Sequence, residues 1–365
     1  MTTELRLQGY LPPGSEKTAG AEHIMLVYYG HYDKRGDDKQ LYGDWSKEKF
    51  LPYVAYLNKA GEPQDDLFDT FLFLALKSPG RGSFHRYYDW ELDSEPGKMS
   101  DWKWAIDRLF EEERQLFALN EAAAEIGAKL NVPNKKIKVM TMIPFPERRC
   151  KQFGDLSGKG IIESLESLEN RNKAIQWYVD LYLSKFHQAE FSNLEFVGFY
   201  WMQEDVEPDE PGEIENIQFT LHYLHKRNLK LGWLPWWGAK HKGDGAKFGF
   251  DFTIVQPNHY FQEQSTAERI QDCAELASKT NQGIQIEFDT KVISSQWHRR
   301  ALYQYLKGGI EFGYMNHSVL AFYQDVQALY ELYHDVGDQG RKVYDDFYLF
   351  IKGKFGQSLN LFREE

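Results

Sequence analysis

The sequence predicts an α/β chain folded as a single (β/α)₈ barrel. Eight short runs rich in apolar, β-branched and aromatic residues recur at roughly even spacing along 365 residues. Segments of helical periodicity separate most of them, the pattern of right-handed βαβ units around a parallel sheet. Two of the runs, FVGFYWMQED at 196–205 and GIQIEFDT at 283–290, end abruptly in carboxylates. Buried parallel strands read as near-continuous apolar runs, and a βα-barrel holds its chemistry at their C-terminal ends.

In chain order, the expected strands are 23–30, 67–76, 136–145, 196–204, 228–237, 249–258, 283–289 and 318–325. Residues 101–127 read as one long helix, with Asp101 as a plausible cap and Gly127 as a stop. The segment 162–186 carries Ile175, Tyr178, Val179 and Tyr182 on one stripe, 212–227 carries Ile214, Ile217, Leu221 and Leu224, and 265–280 carries Ile270, Cys273, Leu276 and Ala277. These are the spacings of a buried helix face, so Cys273 reads as a small core residue. The link 238–249 is too short and too Gly-rich for a full helix. The loop 77–100 is long, and long loops on the C-terminal rim are usually functional. Residues 1–20 read as an extended lead-in, and 324–335 and 340–353 as helices packing on the outside of the barrel. With no Pro/Ser-rich linker, low-complexity tract or internal repeat, 1–365 reads as one domain.

Composition narrows the function. Hydrophobic content is 42%, enough for a large core, and aromatic content is 16%. Aromatic faces stack on sugar rings, but they also simply fill cores. The net charge of −12, with no basic run, argues against nucleic acid and mildly disfavours a polyanionic substrate. The two cysteines, Cys150 and Cys273, are far apart, and no Cys/His cluster is present, so no metal is expected. His222 and His225, three apart on a helix, are a weak metal signal and read as a solvated face. No Ser nucleophile elbow, GxGxxG fingerprint or P-loop occurs, and no cofactor is expected. The apolar runs are of strand length, so no membrane span is expected. The N-terminal residues lack the pattern of a signal peptide. The expected compartment is extracellular, cell-surface or periplasmic after loss of a signal, with the cytoplasm as the alternative. A monomer is expected.

Strand alternation selects the candidate site. In the fourth strand Gly198, Tyr200, Met202 and Glu204 share a face, and in the seventh Gln285, Glu287 and Asp289 do. Ionisable groups facing the apolar helix layer would pay a large desolvation cost, so these sets point inward. Gln256 and Asn258 end the sixth strand the same way. Glu204 and Glu287 therefore aim into one pocket, and paired carboxylates are the working parts of glycoside hydrolysis. A strand-end Glu can also cap a helix or pair with a buried Arg. Asp205 falls on the other face and reads as a loop or helix-start residue, while Asp289 competes with Glu287 one pleat further out. Tyr28, Tyr29, His31, Trp201, Trp236, Trp237, His259, Tyr260 and Tyr323 stand at or just past strand ends, where aromatics line a sugar cleft.

GFYWxxE at 198–204, WLPWWGA at 233–239, GFD…QPNHYF at 249–261 and QIEFD with YLKGG at 285–309 together resemble a bacterial family of domains of unknown function, family 4855. The resemblance spans roughly residues 20–335 and implies a glycoside-hydrolase-like barrel. A broader likeness joins the chain to clan A glycoside hydrolases, (β/α)₈ barrels with the acid/base Glu ending strand four and the nucleophile Glu ending strand seven. That likeness implies Glu204 as acid/base and Glu287 as nucleophile. Clan members usually carry Asn just before the acid/base, where it contacts the sugar 2-hydroxyl; here Gln203 stands there. The expectation is a retaining glycoside hydrolase acting on a polysaccharide or glycan, with Tyr28, His31, Tyr200, Gln203, Trp236, Trp237, Gln256, Asn258, Tyr260, Asp289 and Tyr323 binding carbohydrate. A non-catalytic carbohydrate-binding barrel and a different hydrolase class on the same fold stay open.

Overall fold

The computed structural model describes residues 9–30, 43–87 and 94–356. Its centre is a closed barrel of β1 (His23–Tyr28), β2 (Thr70–Leu74), β3 (Ile137–Ile143), β4 (Leu194–Trp201), β5 (Lys230–Trp233), β6 (Phe252–Val255), β7 (Gly283–Glu287) and β8 (Leu320–Tyr323). Every neighbouring pair is parallel, and β1 closes the ring against β8, His23 opposite Leu320. The chain is thus a (β/α)₈ barrel. The strands are shorter than their apolar runs because pairing stops at the rim while apolar residues continue into the loops. Gly232 shows how tightly the interior is filled. The Phe252 ring lies where a Cβ on residue 232 would stand, 2.1 Å from it.

The connecting helices are α1 (Lys47–Val54), α2 (Met99–Leu109), α3 (Gln115–Lys129), α4 (Leu168–Ala189), α5 (Glu213–His225), the single turn α6 (Gly245–Phe248) and α7 (Glu268–Thr280). After β7 come α8 (Lys291–Ser294), α9 (Gln296–Glu311) and α10 (Tyr314–His317), and after β8 come α11 (Ala328–His334) and α12 (Asp338–Ile351). Ile175, Tyr178, Val179 and Tyr182 of α4 are buried, as are Ile217, Leu221 and Leu224 of α5 and Ile270, Cys273 and Ala277 of α7. Both cysteines are buried and unpaired.

The helix expected over 101–127 is two helices. Glu113 and Gln115 take positive φ, 59° and 45°. Gln115 N donates to Trp45 O rather than into a continuing helix, and its amide reaches Gly43 O. Asp101 is the third residue of α2, not its cap, and accepts from Lys98 N and the Ser78 hydroxyl. Gly127 lies inside α3.

The described segments before β1 and after β8 tie onto the rest of the fold. Leu11 N donates to Gln282 O and Leu11 O accepts from Val319 N, so the lead-in crosses just ahead of β7 and β8, at the end opposite the rim. The C-terminal α12 packs on a two-stranded hairpin, Ala55–Leu57 with Pro63–Asp66: Tyr56 and Tyr348 stack with centroids 4.0 Å apart, and the Tyr344 hydroxyl accepts from Leu57 N. No described helix is long and apolar enough to cross a membrane.

Candidate active site

At the C-terminal mouth of the barrel a cavity of about 380 Å³ is lined by both Glu204 and Glu287. Their settings differ in kind. β4 ends at Trp201, and the chain turns there, with Met202 N donating to Ile143 O. Glu204 stands on this turn, partly exposed, and accepts from the Tyr200 hydroxyl at 3.3 Å. Loss of water raises its pKa to about 7; hydrogen bonds from Gln256 and Tyr200 pull it down, and the charge of Glu287 pushes it up.

Glu287, the last residue of β7, is buried. Its Oε2 accepts from the Tyr305 hydroxyl at 2.7 Å and from Tyr260 N at 3.4 Å. Its Oε1 accepts from Asn258 N at 2.9 Å and Asn258 Nδ2 at 3.3 Å. Burial raises the pKa of Glu287 also, and these donors oppose the rise. Asn258 takes φ of 47°, a left-handed conformation that Asn tolerates better than most residues. It brings both donors of one residue onto the same carboxylate oxygen.

Tyr28, Gln203, Trp236, Gln256, Asn258 and Tyr323 line the same cavity. Tyr28 and Tyr323 meet edge to face at 5.9 Å. Gln203 is pinned on three sides: Oε1 accepts from Arg86 N, Nε2 donates to Asp205 O, and its carbonyl accepts from Trp233 Nε1. Its amide therefore braces the loop that carries Glu204. Trp236 is 39% exposed.

Other sequence candidates sit elsewhere. Tyr200 is buried behind Glu204 and reaches the site only through its hydroxyl. Trp237 lies under the Lys242 ammonium at 4.8 Å, away from the lining. Tyr260 is fully buried; its hydroxyl donates to Asp289 Oδ1 at 2.8 Å, which also accepts from Lys291 N. The pleat ends at Glu287, so the alternation that put Asp289 inward no longer applies, and Asp289 instead starts the turn into α8. The rim reading also fails for Tyr29, Trp201 and His259, which are buried; His259 bridges Ser265 and Gln304. His31 lies outside the described residues.

Tyr305, His85 and Phe261 were not among the expected site residues, although Phe261 and Tyr305 fall within the QPNHYF and YLKGG motifs and His85 within the long loop 77–100. His85 and Phe261 line the cavity from loops, where no periodicity marks them. Tyr305 comes from the inner face of α9, where its burial looks like any core aromatic. Among the described residues no group of three or more His, Cys, Asp or Glu side chains is arranged to hold a metal.

A family profile for a domain of unknown function, DUF4855, matches residues 23–349. The chain belongs to this family. No curated protein matches it. Among solved structures it is similar to the PgaB (BpsB) glycoside hydrolase domain of Bordetella bronchiseptica, at 11% identity over 89% of this chain and 98% of that one, with a TM-score of 0.43. A mutant tryptophan synthase α-subunit from the hyperthermophile Pyrococcus furiosus is similar at 10% identity over 94% and 99% of the two chains, with a TM-score of 0.39.

Tyr305→Phe removes one donor from Glu287 and leaves the ring. The carboxylate loses stabilisation of its charged form, so its pKa rises further. The acid limb of any pH–activity profile that depends on ionised Glu287 should move to higher pH, since a hydrogen bond to a charged group contributes about 1.5–3 kcal/mol. A profile unchanged from wild type would make Tyr305 a packing residue.

Proposed function

We propose that this DUF4855 member is a retaining glycoside hydrolase, with Glu204 as acid/base and Glu287 as nucleophile. The observation that carries the reading is the contrast between two carboxyls in one cavity. Burial raises both pKa values, but Glu287 is held by four donors while Glu204 is held by two, and unequal environments of this kind mark acid and nucleophile roles. Glu204, near 7, keeps its proton in a substantial fraction of molecules at neutral pH and suits proton donation to a leaving oxygen. Glu287 accepts four hydrogen bonds, which favour its charged form against the upward push of burial, a setting that suits a held nucleophile.

In the proposed reaction Glu287 attacks the anomeric carbon while Glu204 protonates the departing oxygen. Water activated by the now charged Glu204 then releases the sugar from Glu287. Asn258 holds Glu287 through its backbone N–H and side-chain amide while also lining the cavity, and Tyr260 holds it through its backbone N–H. Tyr28, Tyr323 and Trp236 supply the aromatic walls that sugar rings require.

A screen of the purified chain against neutral and acidic polysaccharides, read by new reducing ends, tests the reading. Activity absent from a Glu287→Gln control is the expected outcome. Binding without any release of reducing ends would favour a carbohydrate-binding barrel instead. Within the same assay, Trp236→Ala should raise KM about tenfold and leave the melting temperature unchanged, because the ring is partly exposed and its stacking contributes about 0.5–1.5 kcal/mol beyond buried area. An unchanged KM would remove Trp236 from the binding surface.

A further inference from the structure

A second cavity, about 450 Å³, adjoins the first across the His85–Arg86 pair: His85 lines one and Arg86 the other. The wall is tied to the loop of Glu204, because Arg86 N donates to Gln203 Oε1. Segments following β2, β3 and β4 enclose this cavity, with Arg171 of α4 behind them.

Four guanidinium groups converge there, Arg86, Arg148, Arg149 and Arg171, in a chain of net charge −12. Three are matched to carboxylates. Arg86 pairs with Glu207 at 2.7 Å and with Glu213, Arg148 with Glu210 at 2.5 Å, and Arg149 with Glu147 at 3.0 Å. Arg171 is different. It is buried, and its hydrogen bonds go to Asn216 Oδ1 and to the carbonyls of Leu165, Glu166 and Pro211, with no described carboxylate in ion-pair reach. A buried cation without a counter-ion is costly. Glu213 is pushed up to about 7 by burial, and the Arg86 charge opposes that rise. Arg86 and Arg149 lie over the rings of Phe145 and Tyr87, at 5.2 and 5.0 Å.

We propose that this cavity is a subsite for a carboxylate-bearing sugar of the glycan whose cleaved bond lies between Glu204 and Glu287. The clause about cleavage rests on the glycosidase reading; the recognition of an acidic sugar does not. A planar carboxylate matches the guanidinium fork, which is why arginine dominates such recognition. The overall negative charge disfavours a polyanion, so the fitting substrate carries an isolated acidic sugar among neutral ones.

Isothermal titration of the full chain tests this with trisaccharides that carry one uronate, each as free acid and as methyl ester. At least one free acid should bind about tenfold or more tightly than its ester, since the ester removes a charged hydrogen-bond acceptor. Arg148→Gln, whose side chain is half exposed at the cavity edge, should abolish that preference while melting near wild type. Glu204→Gln and Glu287→Gln should keep the preference. Equal binding of acid and ester across the set, or a preference untouched by Arg148→Gln, overturns the proposal. A preserved preference with no hydrolysis of any bound trisaccharide sinks the glycosidase reading and leaves the subsite standing.

Discussion

Glu287→Gln is expected to lower turnover by about four orders of magnitude or more, the scale on which loss of a nucleophile acts in enzymes that form covalent intermediates. The fold should survive. The amide keeps the shape of the carboxyl, and the change removes a charge that burial disfavours. One amide hydrogen then faces a donor, either the Tyr305 hydroxyl or Asn258, and that clash offsets part of the gain. A melting temperature within a few degrees of wild type, with turnover gone, is the predicted pair of results. A variant that keeps its activity would return Glu287 to a structural role.

Glu204→Gln should cost about 10²–10⁴-fold in turnover, the range of a general acid. It should also change the pH dependence. Glu204 works protonated, so wild-type activity falls as pH rises through about 7, and the variant loses that alkaline limb. Stability carries a pH dependence of the same sign. The folded-state pKa lies above the unfolded value of about 4.3, so the wild-type side chain stabilises the fold most at low pH. That contribution fades as pH climbs from about 4.3 to about 7. Gln does not titrate. The variant should therefore gain on wild type across this window, reaching about 1–3 kcal/mol by pH 8 at one pKa unit per 1.36 kcal/mol. Thermal melts at pH 5 and pH 8 read the difference. A stability gap that shrinks with pH would contradict the assignment.

The barrel was legible because parallel strands buried on both faces leave continuous apolar runs, and each of the eight expected runs contains or overlaps a barrel strand. Glu287 was legible for the same reason, since period-two alternation holds up to the last paired residue. It failed two residues later, at Asp289, where pairing had stopped and turn chemistry took over. The single long helix failed because 101–127 has helical composition throughout. What breaks it is a tertiary bond, Gln115 N to Trp45 O, from a segment 70 positions away in the chain. The contact of Tyr305 with Glu287 and the arginine-lined cavity were not legible because helix faces and rim loops meet only after folding. The clustered arginines are spread over Arg86, Arg148, Arg149 and Arg171, so no run of basic residues announces them.

The central claim is that Glu287 forms a bond to sugar while Glu204 supplies the proton. Once the polysaccharide screen has found a substrate, its 2-fluoro analogue traps the intermediate, and peptide mass spectrometry locates the added mass. The account predicts one sugar on the peptide containing Glu287, absent from Glu287→Gln, and formed more slowly as pH rises through about 7. Sugar attached to another residue, or active turnover with no adduct and an inverted anomeric product, would contradict it.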